Sequence, residues 1–539
     1  MPLDLAIINA DIHGHAQPVN AVGIIDGHIV AIGTSSDIMA QCVPTTVIRD
    51  LGGMFLMPGF IDVHMHIAMA ADYLSAIGLR DVRTMKALLE RVAQWAAAHP
   101  DAPWIRGLEW SYGYPDLPNG EFDARMIDSI LPDRPVILTS GMAHAAWANS
   151  RAMEIAGITR DTPDPENGEI VRRADGTPSG WLKEDAVSLV TSHIPPMTGP
   201  EMDHALGLVL DTASRLGITR MQSAAYDEAY LPLLSARDAA GTLPVRIGMM
   251  TEIEPDPGLT PQRLREALDL RARYDNAMVR LDGIKFFLDG VLESHTGYMP
   301  EGYADQPDAR GTLLWDRRAY IDAVRAGVEN GLDIWTHAIG PGAIRLALDA
   351  AENAGNSPER PRIRVEHAEL PYPDDIARFA HTSTIASMQP VMIAPADEWM
   401  GMEGVWKKRV GDNRAQLAFP MRALLDAGST LAFGTDWPIV SLNPLRGLRK
   451  AVLRRPIGAP ASEAWIPTQA ISFSEAFDSY TSKAAVAAGR ERYEGRIALG
   501  YRADIAVLSG NPFMTDPDSL PDLKCMLTVT AGRIVHDLI

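Results

Sequence analysis

Two histidines one residue apart end the segment Pro58-Gly59-Phe60-Ile61-Asp62-Val63-His64-Met65-His66. The mostly apolar residues 54–61 predict a short buried strand. Because residues i and i+2 of a strand point to the same side, His64 and His66 can aim both imidazoles at one point beyond the strand's C-terminal end. Imidazole is a common ligand of zinc-like metals. Two histidines on the protein surface would give the same pattern. The interpretation as a metal site therefore depends on further ligands elsewhere in the chain.

Similar side chains follow at the ends of later predicted strands. Residues 332–337 and 362–367 end in His337 and His367, residues 430–436 end in Asp436, and residues 281–289 place Lys285 among apolar neighbours. Each has an ordinary explanation when taken singly, since an aspartate after a strand often caps the next helix. Together, four histidines, a lysine and an aspartate at strand ends indicate a metal centre.

Composition narrows the class of protein. A chain of 539 residues should hold two or three folded units. The net charge of −20 argues against nucleic acid or an anionic membrane as a partner. The two cysteines, Cys42 and Cys525, make no disulfide framework, and we find no signal peptide and no spanning apolar run. We therefore expect a cytoplasmic enzyme with a small-molecule substrate, as a monomer or a homo-oligomer.

Strand and helix patterns alternate along most of the chain, which predicts an α/β fold with a parallel barrel. The eight expected barrel strands are residues 55–61, 217–222, 245–250, 283–288, 332–336, 362–366, 384–389 and 430–434. Short strands with tight turns at both chain ends predict one small β-domain. The expected domains are 1–55 with 490–539 for the β-domain, 56–69 with 201–489 for the barrel, and 70–200 for an insertion.

The insertion follows the first barrel strand and is too long for an unstructured loop. It carries five of the eleven tryptophans, namely Trp95, Trp104, Trp110, Trp147 and Trp181. Because it leaves the barrel at the C-terminal end of that strand, we expect it to cap the active-site mouth.

These residues resemble the amidohydrolase superfamily of metal-dependent hydrolases. The resemblance rests on Gly59-Phe60-Ile61-Asp62-x-His64-x-His66, on His337 and His367, and on Gly434-Thr435-Asp436. Further motifs resemble the branch of N-substituted formamide deformylase and YtcJ-like proteins: His144-Ala-Ala-Trp147-Ala-Asn149-Ser150, Lys285-x-x-x-Asp289-Gly290, His337-Ala338-Ile339-Gly340, Glu366-His367-Ala368, Met388-Gln389-Pro390 and Ala503-Asp504-Ile505-Ala506-Val507-Leu508. The likeness spans nearly the whole chain.

The resemblance implies a (β/α)8 TIM barrel with a small β-sandwich built from both termini. It also implies that His64, His66, His337, His367 and Asp436 hold metal, and that Lys285 is a carboxylated lysine bridging two Zn2+ ions. The alternative for Lys285 is an ordinary lysine paired with Asp289 beside a single metal. Two departures, Pro341 after Gly340 and His295 where an arginine is common, fall at the barrel mouth and bear on the substrate.

The expected chemistry is hydrolysis of an amide, N-formyl or carbamate C–N bond, with Asp436 as general acid/base. His144 is a second catalytic candidate. The candidate substrate-binding residues are Trp147, Glu184, His295, Gln389 and Trp437. Because no arginine cluster marks the mouth, we expect a neutral, aromatic substrate in a pocket with few fixed charges. A deaminase or a cyclic-amide hydrolase would use the same ligands, and a catalytically inactive binding relative is the alternative outside enzymes.

Overall fold

A computed structural model describes residues 2–110, 113–117, 121–140, 145–166, 168–225, 227–357, 359–393 and 404–539. The chain divides into two compact units. One unit comprises Met1–Ala68 together with Leu210–Ile539, and the other comprises Met69–Val209. No helix of the described residues has both the length and the apolar character needed to cross a bilayer.

Eight parallel strands form the central sheet of the larger unit. In chain order they are β1 Phe60–Met65, β2 Ile218–Ser223, β3 Arg246–Glu252, β4 Val279–Phe287, β5 Asp333–Ala338, β6 Ile363–His367, β7 Ile385–Met388 and β8 Leu431–Phe433. Each strand pairs with the next along the chain, in parallel register. The α/β barrel predicted from the sequence is therefore confirmed, with all eight strands found.

Backbone hydrogen bonds just beyond the strands join β8 to β1. The Thr435 N–H donates to the His64 carbonyl over 3.1 Å, and the His66 N–H donates to the Trp437 carbonyl over 2.9 Å. This approach requires glycine at position 434, because a Cβ there would lie 2.5 Å from the His64 nitrogen. The closure brings the residues after β8 next to the two histidines of β1.

The prediction of one continuous strand over residues 55–61 is wrong. The chain forms two strands separated at Gly59: Phe55–Pro58 pairs with Ile505–Leu508 of the terminal sheet, whereas Phe60–Met65 is β1 of the barrel. The apolar run is unbroken because both strands are buried, so hydrophobic periodicity alone does not reveal the boundary.

Helices follow most barrel strands along the chain. In chain order they are Ile67–Leu74, Gly199–Arg215, Leu231–Ala239, Thr260–Arg273, Arg317–Glu329, Pro341–Asn353, Pro373–His381, Val405–Val410, Asp412–Ala415, Met421–Asp426, Pro444–Leu453, Phe473–Tyr480 and Ser482–Ala487. Short 3-10 turns lie at Glu228–Tyr230, Pro390–Met392, Ala461–Glu463, Pro467–Gln469 and Pro517–Asp522. Arg317–Glu329 shows the general pattern: the Asp316 carboxylate accepts the N–H groups of Arg318 and Ala319, and Tyr320, Ala323, Val324 and Gly327 form the buried face.

Both chain ends contribute to a β-sandwich. One sheet contains, in spatial order, His28–Gly33, Ala21–Ile25, Leu5–Ile8 and Val47–Asp50; the other contains Asp11–Ile12, Phe55–Pro58, Ile505–Leu508, Cys525–Thr530 and Arg533–Asp537. A short helix, Ser35–Met39, follows the first sheet's hairpin. Apolar side chains of both sheets, including Ile7, Ile24, Val507 and Val529, share one core.

The inserted unit has a six-stranded sheet of its own. Its strands, in spatial order, are Gly168–Arg172, Pro178–Glu184, Ala145–Ala148, Val136–Ser140, Ile105–Trp110 and Ile77–Gly78. Its helices are Met85–Ala98, Ala124–Asp128, Ser150–Ile155 and Ser188–Thr191, with a 3-10 turn at Asp185–Val187. Two separate apolar clusters form its cores. The expectation that this unit caps the active site stays a prediction.

Candidate metal centre

The six predicted ligands come together at the C-terminal ends of the barrel strands. His64 lies in β1, Lys285 in β4, His337 in β5 and His367 in β6. His66 directly follows β1, and Asp436 is the third residue after β8. All six line one cavity of about 240 Å³. Parallel strands present their C-terminal ends on one face of a barrel, and that face holds the active site of TIM-barrel enzymes.

Ligand atoms of three of the six residues lie close enough together to hold one metal ion. One atom each from His64, His367 and Asp436 lies within 4.8 Å of the other two. The Asp436 Oδ1 atom is 3.0 Å from His66 Nε2 and 3.4 Å from His64 Nε2. The rings of His337 and His367 have centroids 4.5 Å apart. This spacing suits nitrogen and oxygen ligands that share one or two small cations.

Lys285 is enclosed in the barrel interior. Its side chain is fully buried, and its Nζ atom has no hydrogen-bond partner among the described residues. Burial lowers the pKa of this amine to about 8. The alternative partner, Asp289, instead accepts backbone N–H groups from Tyr298, Ile339 and Gly340. A buried, unpaired and easily deprotonated amine is suited to modification by CO2.

Two imidazoles of the cluster are held in the neutral form that binds metals. Burial lowers the pKa of His337 to about 3, and burial together with the neighbouring His337 places the pKa of His367 well below its usual value. Nε2 of His337 lies 3.1 Å from the Gly290 carbonyl oxygen, and Nδ1 of His367 lies 2.9 Å from Gln389 Oε1. These partners hold both rings in place.

Two ligands have strained backbones. His367 has φ +73° and Asp436 has φ +61°, a region that residues other than glycine rarely adopt. Such conformations cost on the order of 1–3 kcal/mol each and concentrate at functional sites. The strain directs both side chains into the cavity just where β6 and β8 end.

The remaining predicted site residues lie elsewhere. Of the described residues that line the cavity, none is His295, Gln389 or Trp437. His295 pairs with Asp305 over 3.1 Å, Gln389 positions His367, and the Trp437 carbonyl accepts the His66 N–H. Their contact with substrate stays a prediction.

Three further candidates belong to the inserted unit. Trp147 is fully buried in that unit's own core and packs against Phe122, which gives it a structural role. Glu184 ends the strand Pro178–Glu184. His144, the second catalytic candidate, lies outside the described residues.

Sequence reasoning missed two acidic side chains of the cavity. Glu293 and Glu369 line it together with the metal ligands. The apolar wall expected there is present: Phe287, Val291, Ile339, Met392, Phe419 and Ile439. Burial raises the pKa of both carboxyl groups, so the expectation of a pocket with few fixed charges stays a prediction. Glu369 directly follows the motif Glu366-His367-Ala368, and this position next to a predicted ligand could have indicated it. Glu293 lies in an irregular loop, where no sequence pattern indicates which side chains face the cavity.

The barrel and its cluster of histidines define a metal-dependent hydrolase. The chain belongs to the amidohydrolase family, whose family model matches residues 47–536. The resemblance found in the sequence is thereby confirmed.

Individual relatives agree with this assignment. The chain is 30% identical to YtcJ of Bacillus subtilis, with 96% of each protein covered. It is 26% identical to N-substituted formamide deformylase of Arthrobacter pascens, over 99% of this chain and 98% of that protein. Among solved structures, an uncharacterized metal-dependent hydrolase from Pyrococcus furiosus is similar with a TM-score of 0.74 and 26% identity, over 94% of this chain and 99% of that chain.

Proposed function

We propose that the protein hydrolyses a C–N bond in an amide, N-formyl or carbamate compound, using one or two Zn2+ ions. The observation that carries this proposal is the meeting of His64, His66, Lys285, His337, His367 and Asp436 at one cavity. The similarity to N-substituted formamide deformylase supports the same bond type. The substrate is a small molecule, and the cytoplasm is the proposed location.

The donor set fits zinc. Neutral imidazoles and a carboxylate are the ligands that Zn2+ prefers. The unpartnered Nζ of Lys285 fits a carboxylated lysine, because CO2 would turn it into an anionic oxygen donor that can be shared by two cations. A plain ammonium at this position would repel a bound cation. When bound, the metal would supply Lewis acidity and hydroxide at neutral pH, since it lowers the pKa of water from about 15.7 to about 7.

Asp436 is the proposed general acid/base. Burial alone would raise the pKa of its carboxyl group, but hydrogen bonds from His64 and His66 hold the pKa well below its usual value. The side chain is therefore ionised and ready to accept a proton from the attacking water. The same carboxyl group then delivers that proton to the departing nitrogen. His144 is proposed to assist from the inserted unit.

The apolar wall of the cavity favours an aromatic or alkyl group beside the reacting carbonyl. Phe287, Met392 and Phe419 supply two rings and an adaptable thioether on that wall. The scissile group itself is a neutral carbonyl compound. A cavity of about 240 Å³ is suited to a compact molecule.

A panel of substrates tests the proposal. The zinc-loaded protein should be assayed with aryl and arylalkyl formamides, acetamides and carbamates, and in parallel with a lactam, a hydantoin, an N-acyl amino acid and a purine. We expect the highest kcat/KM for one of the open-chain aromatic compounds. A higher value for a cyclic amide or for the purine would instead identify a cyclic-amide hydrolase or a deaminase. The Asp436→Asn protein, loaded with zinc in the same way, is the control for contaminating hydrolases.

A further inference from the structure

Phe419 lines the catalytic cavity in a backbone conformation that bulky side chains rarely adopt. It lies between the helices Asp412–Ala415 and Met421–Asp426, is buried, and has φ +48°. A positive φ at such a residue costs free energy and persists only where the surrounding structure holds it. Strong contacts around Phe419 must therefore offset this cost.

Hydrogen bonds fix the backbone of Phe419 on both sides. Its N–H donates to the Glu369 carbonyl over 2.7 Å, which ties it to the segment just after β6. Its carbonyl accepts the Met421 N–H over 2.8 Å and a hydrogen bond from Arg454 Nη1 over 3.2 Å. The guanidinium of Arg454 thus reaches Phe419 from a distant part of the chain.

Arg454 joins three backbone carbonyls from two separate loops. Besides its bond to Phe419, Nη2 donates to the Ala418 carbonyl over 3.1 Å and Nε donates to the Trp465 carbonyl over 2.8 Å. Arg454 directly follows the helix Pro444–Leu453, and its own carbonyl accepts the Trp465 N–H over 2.7 Å. Because a guanidinium is a planar fork of donors, this one side chain fastens the two loops together.

No counterion accompanies the charge of Arg454. The residue is fully buried, and no carboxylate of the described parts of the chain forms an ion pair with it. Burial lowers the pKa of its guanidinium to about 9, which reflects the cost of placing a cation in this environment. The three carbonyls explain why the charge is retained, because buried acceptors without donors are also costly. The donor lies directly behind a residue of the cavity wall.

The Phe419 ring belongs to a cluster of three aromatic rings. Its centroid lies 6.1 Å from that of Trp406 and 5.9 Å from that of Trp465, and the two indoles are 5.2 Å apart. Of the three, only Phe419 is among the described residues that line the cavity. Phe287, the other phenyl ring there, packs against His337 with centroids 5.4 Å apart. Phe419 thus offers an aromatic contact that the metal centre does not take up.

The geometry points to Phe419 as the residue that selects the apolar group of the substrate, with Arg454 as the residue that positions it. The selected group is a planar aromatic ring rather than a saturated ring of the same size, since aromatic pairs gain free energy beyond the area they bury. Phe419 contacts the substrate, whereas Arg454 acts only through Phe419. This inference rests on the proposed function, because it names the group beside the amide, formamide or carbamate that is cleaved.

A matched pair of substrates tests the inference. The formamide, acetamide or carbamate of benzylamine that the zinc-loaded protein hydrolyses fastest is compared with the same derivative of cyclohexylmethylamine, in which the ring is saturated. Both are assayed in the wild type, Phe419→Leu, Arg454→Met and the double variant. Arg449→Met is the matched control, because Arg449 is a buried arginine of the same region that donates to the carbonyls of Arg455 and Pro456.

The wild type should prefer the benzyl compound by about 5-fold in kcat/KM, the usual worth of an aromatic pair. The preference should appear in KM more than in kcat, since the ring contact is the same before and during the reaction. Phe419→Leu and Arg454→Met should each bring the two substrates towards equality. The double variant should go no further than Phe419→Leu alone, because Arg454 acts through the ring that is missing. Arg449→Met should lose stability and keep the preference.

Arg454→Lys keeps the charge without the planar fork and replaces Arg454→Met if that variant does not fold. A preference that is absent from the wild type, or that survives Phe419→Leu, would overturn the inference and leave amide hydrolysis intact. A preference that survives loss of the fork at position 454, that falls further in the double variant, or that the control also loses, would overturn the role of Arg454.

If no amide is hydrolysed, the proposed function fails, and binding still decides the inference. Calorimetry on the zinc-loaded protein then compares phenylacetohydroxamate with cyclohexylacetohydroxamate, whose hydroxamate groups bind zinc. Tighter binding of the phenyl compound that is lost in Phe419→Leu supports the inference. Equal affinities, or an advantage that does not depend on Phe419, overturn it.

Discussion

Glu366 Oε2 lies 2.5 Å from His64 Nδ1, and both side chains are fully buried beneath the metal centre. Arg364 holds the carboxylate from the other side, with its Nε 2.9 Å from Glu366 Oε1. Burial by itself would raise the pKa of Glu366, but the Arg364 charge lowers it below its usual value. The anion accepts the Nδ1–H of His64 and thereby orients the ring with Nε2 towards Asp436, 3.4 Å away.

We predict that Glu366→Gln weakens zinc binding about 10–100-fold, because a ligand histidine loses the partner that sets its tautomer and orientation. Titration against a chelator with known zinc affinity measures the change. The substitution also leaves Arg364 without its ion pair, so the protein should become less stable.

Glu494→Gln provides the matched control for this experiment. Glu494 is equally buried and pairs with Arg220 over 2.6 Å, yet it is not among the residues that line the metal cavity. The Glu494→Gln substitution should lower the melting temperature without changing the zinc affinity. Equal loss of zinc binding in both variants would show that Glu366 acts through general stability.

Glu494 also predicts how stability depends on pH. Burial alone would raise its pKa, but Arg220 and further arginines lower the pKa from 4.5 to about 2. Because the folded protein has the lower pKa, the stabilisation is complete above about pH 4.5 and is lost as the pH falls towards about 2. At about 1.4 kcal/mol per pKa unit, this shift contributes roughly 3 kcal/mol to the free energy of unfolding at neutral pH.

The expected result is a difference in the urea midpoint between the wild type and Glu494→Gln that is large at neutral pH and shrinks on acidification through this range. A difference that stays constant down to pH 2, or widens, would contradict the assignment.

Each of the four histidines should be required for zinc binding. Alanine at position 64, 66, 337 or 367 removes one imidazole from a cluster in which few other donors are available. We expect zinc content, measured by atomic emission on dialysed protein, to fall together with activity. His28→Ala, on an exposed histidine of the terminal sheet, should keep both. If a variant with alanine at two of these four positions still bound stoichiometric zinc, the metal would bind elsewhere.

The sequence was sufficient to locate seven of the eight barrel strands, and the six residues that meet at the strand ends. Strand-end position is read from local pattern, and a parallel barrel then brings all such ends to one face. The break at Gly59 escaped detection, because two buried strands of different sheets form one apolar run. Glu293 was missed for another reason: an acid in an irregular loop usually faces water, and only tertiary packing turns this one towards the cavity.

Lys285 should make activity depend on CO2. Its buried amine has a pKa of about 8, so an appreciable fraction is unprotonated near neutral pH and can react. Metal-free protein prepared without CO2 should regain activity with zinc only when bicarbonate is added. Lys285→Arg keeps a positive charge but cannot be carboxylated in this way, so bicarbonate should not restore it. Full wild-type activity without bicarbonate would favour an unmodified lysine beside one metal.

Asp436→Asn should separate metal binding from proton transfer. The amide oxygen can still accept hydrogen bonds where Asp436 Oδ1 now lies 3.0 Å from His66 Nε2, so the local structure and most of the zinc should remain. The amide cannot accept the proton of the attacking water, however, and kcat should fall by about 10²–10⁴-fold. Zinc content and kcat measured on the same sample distinguish the two effects. Near-normal turnover at full zinc content would show that another group, with His144 as the first candidate, carries the proton, whereas a parallel loss of both would identify Asp436 as chiefly a metal ligand.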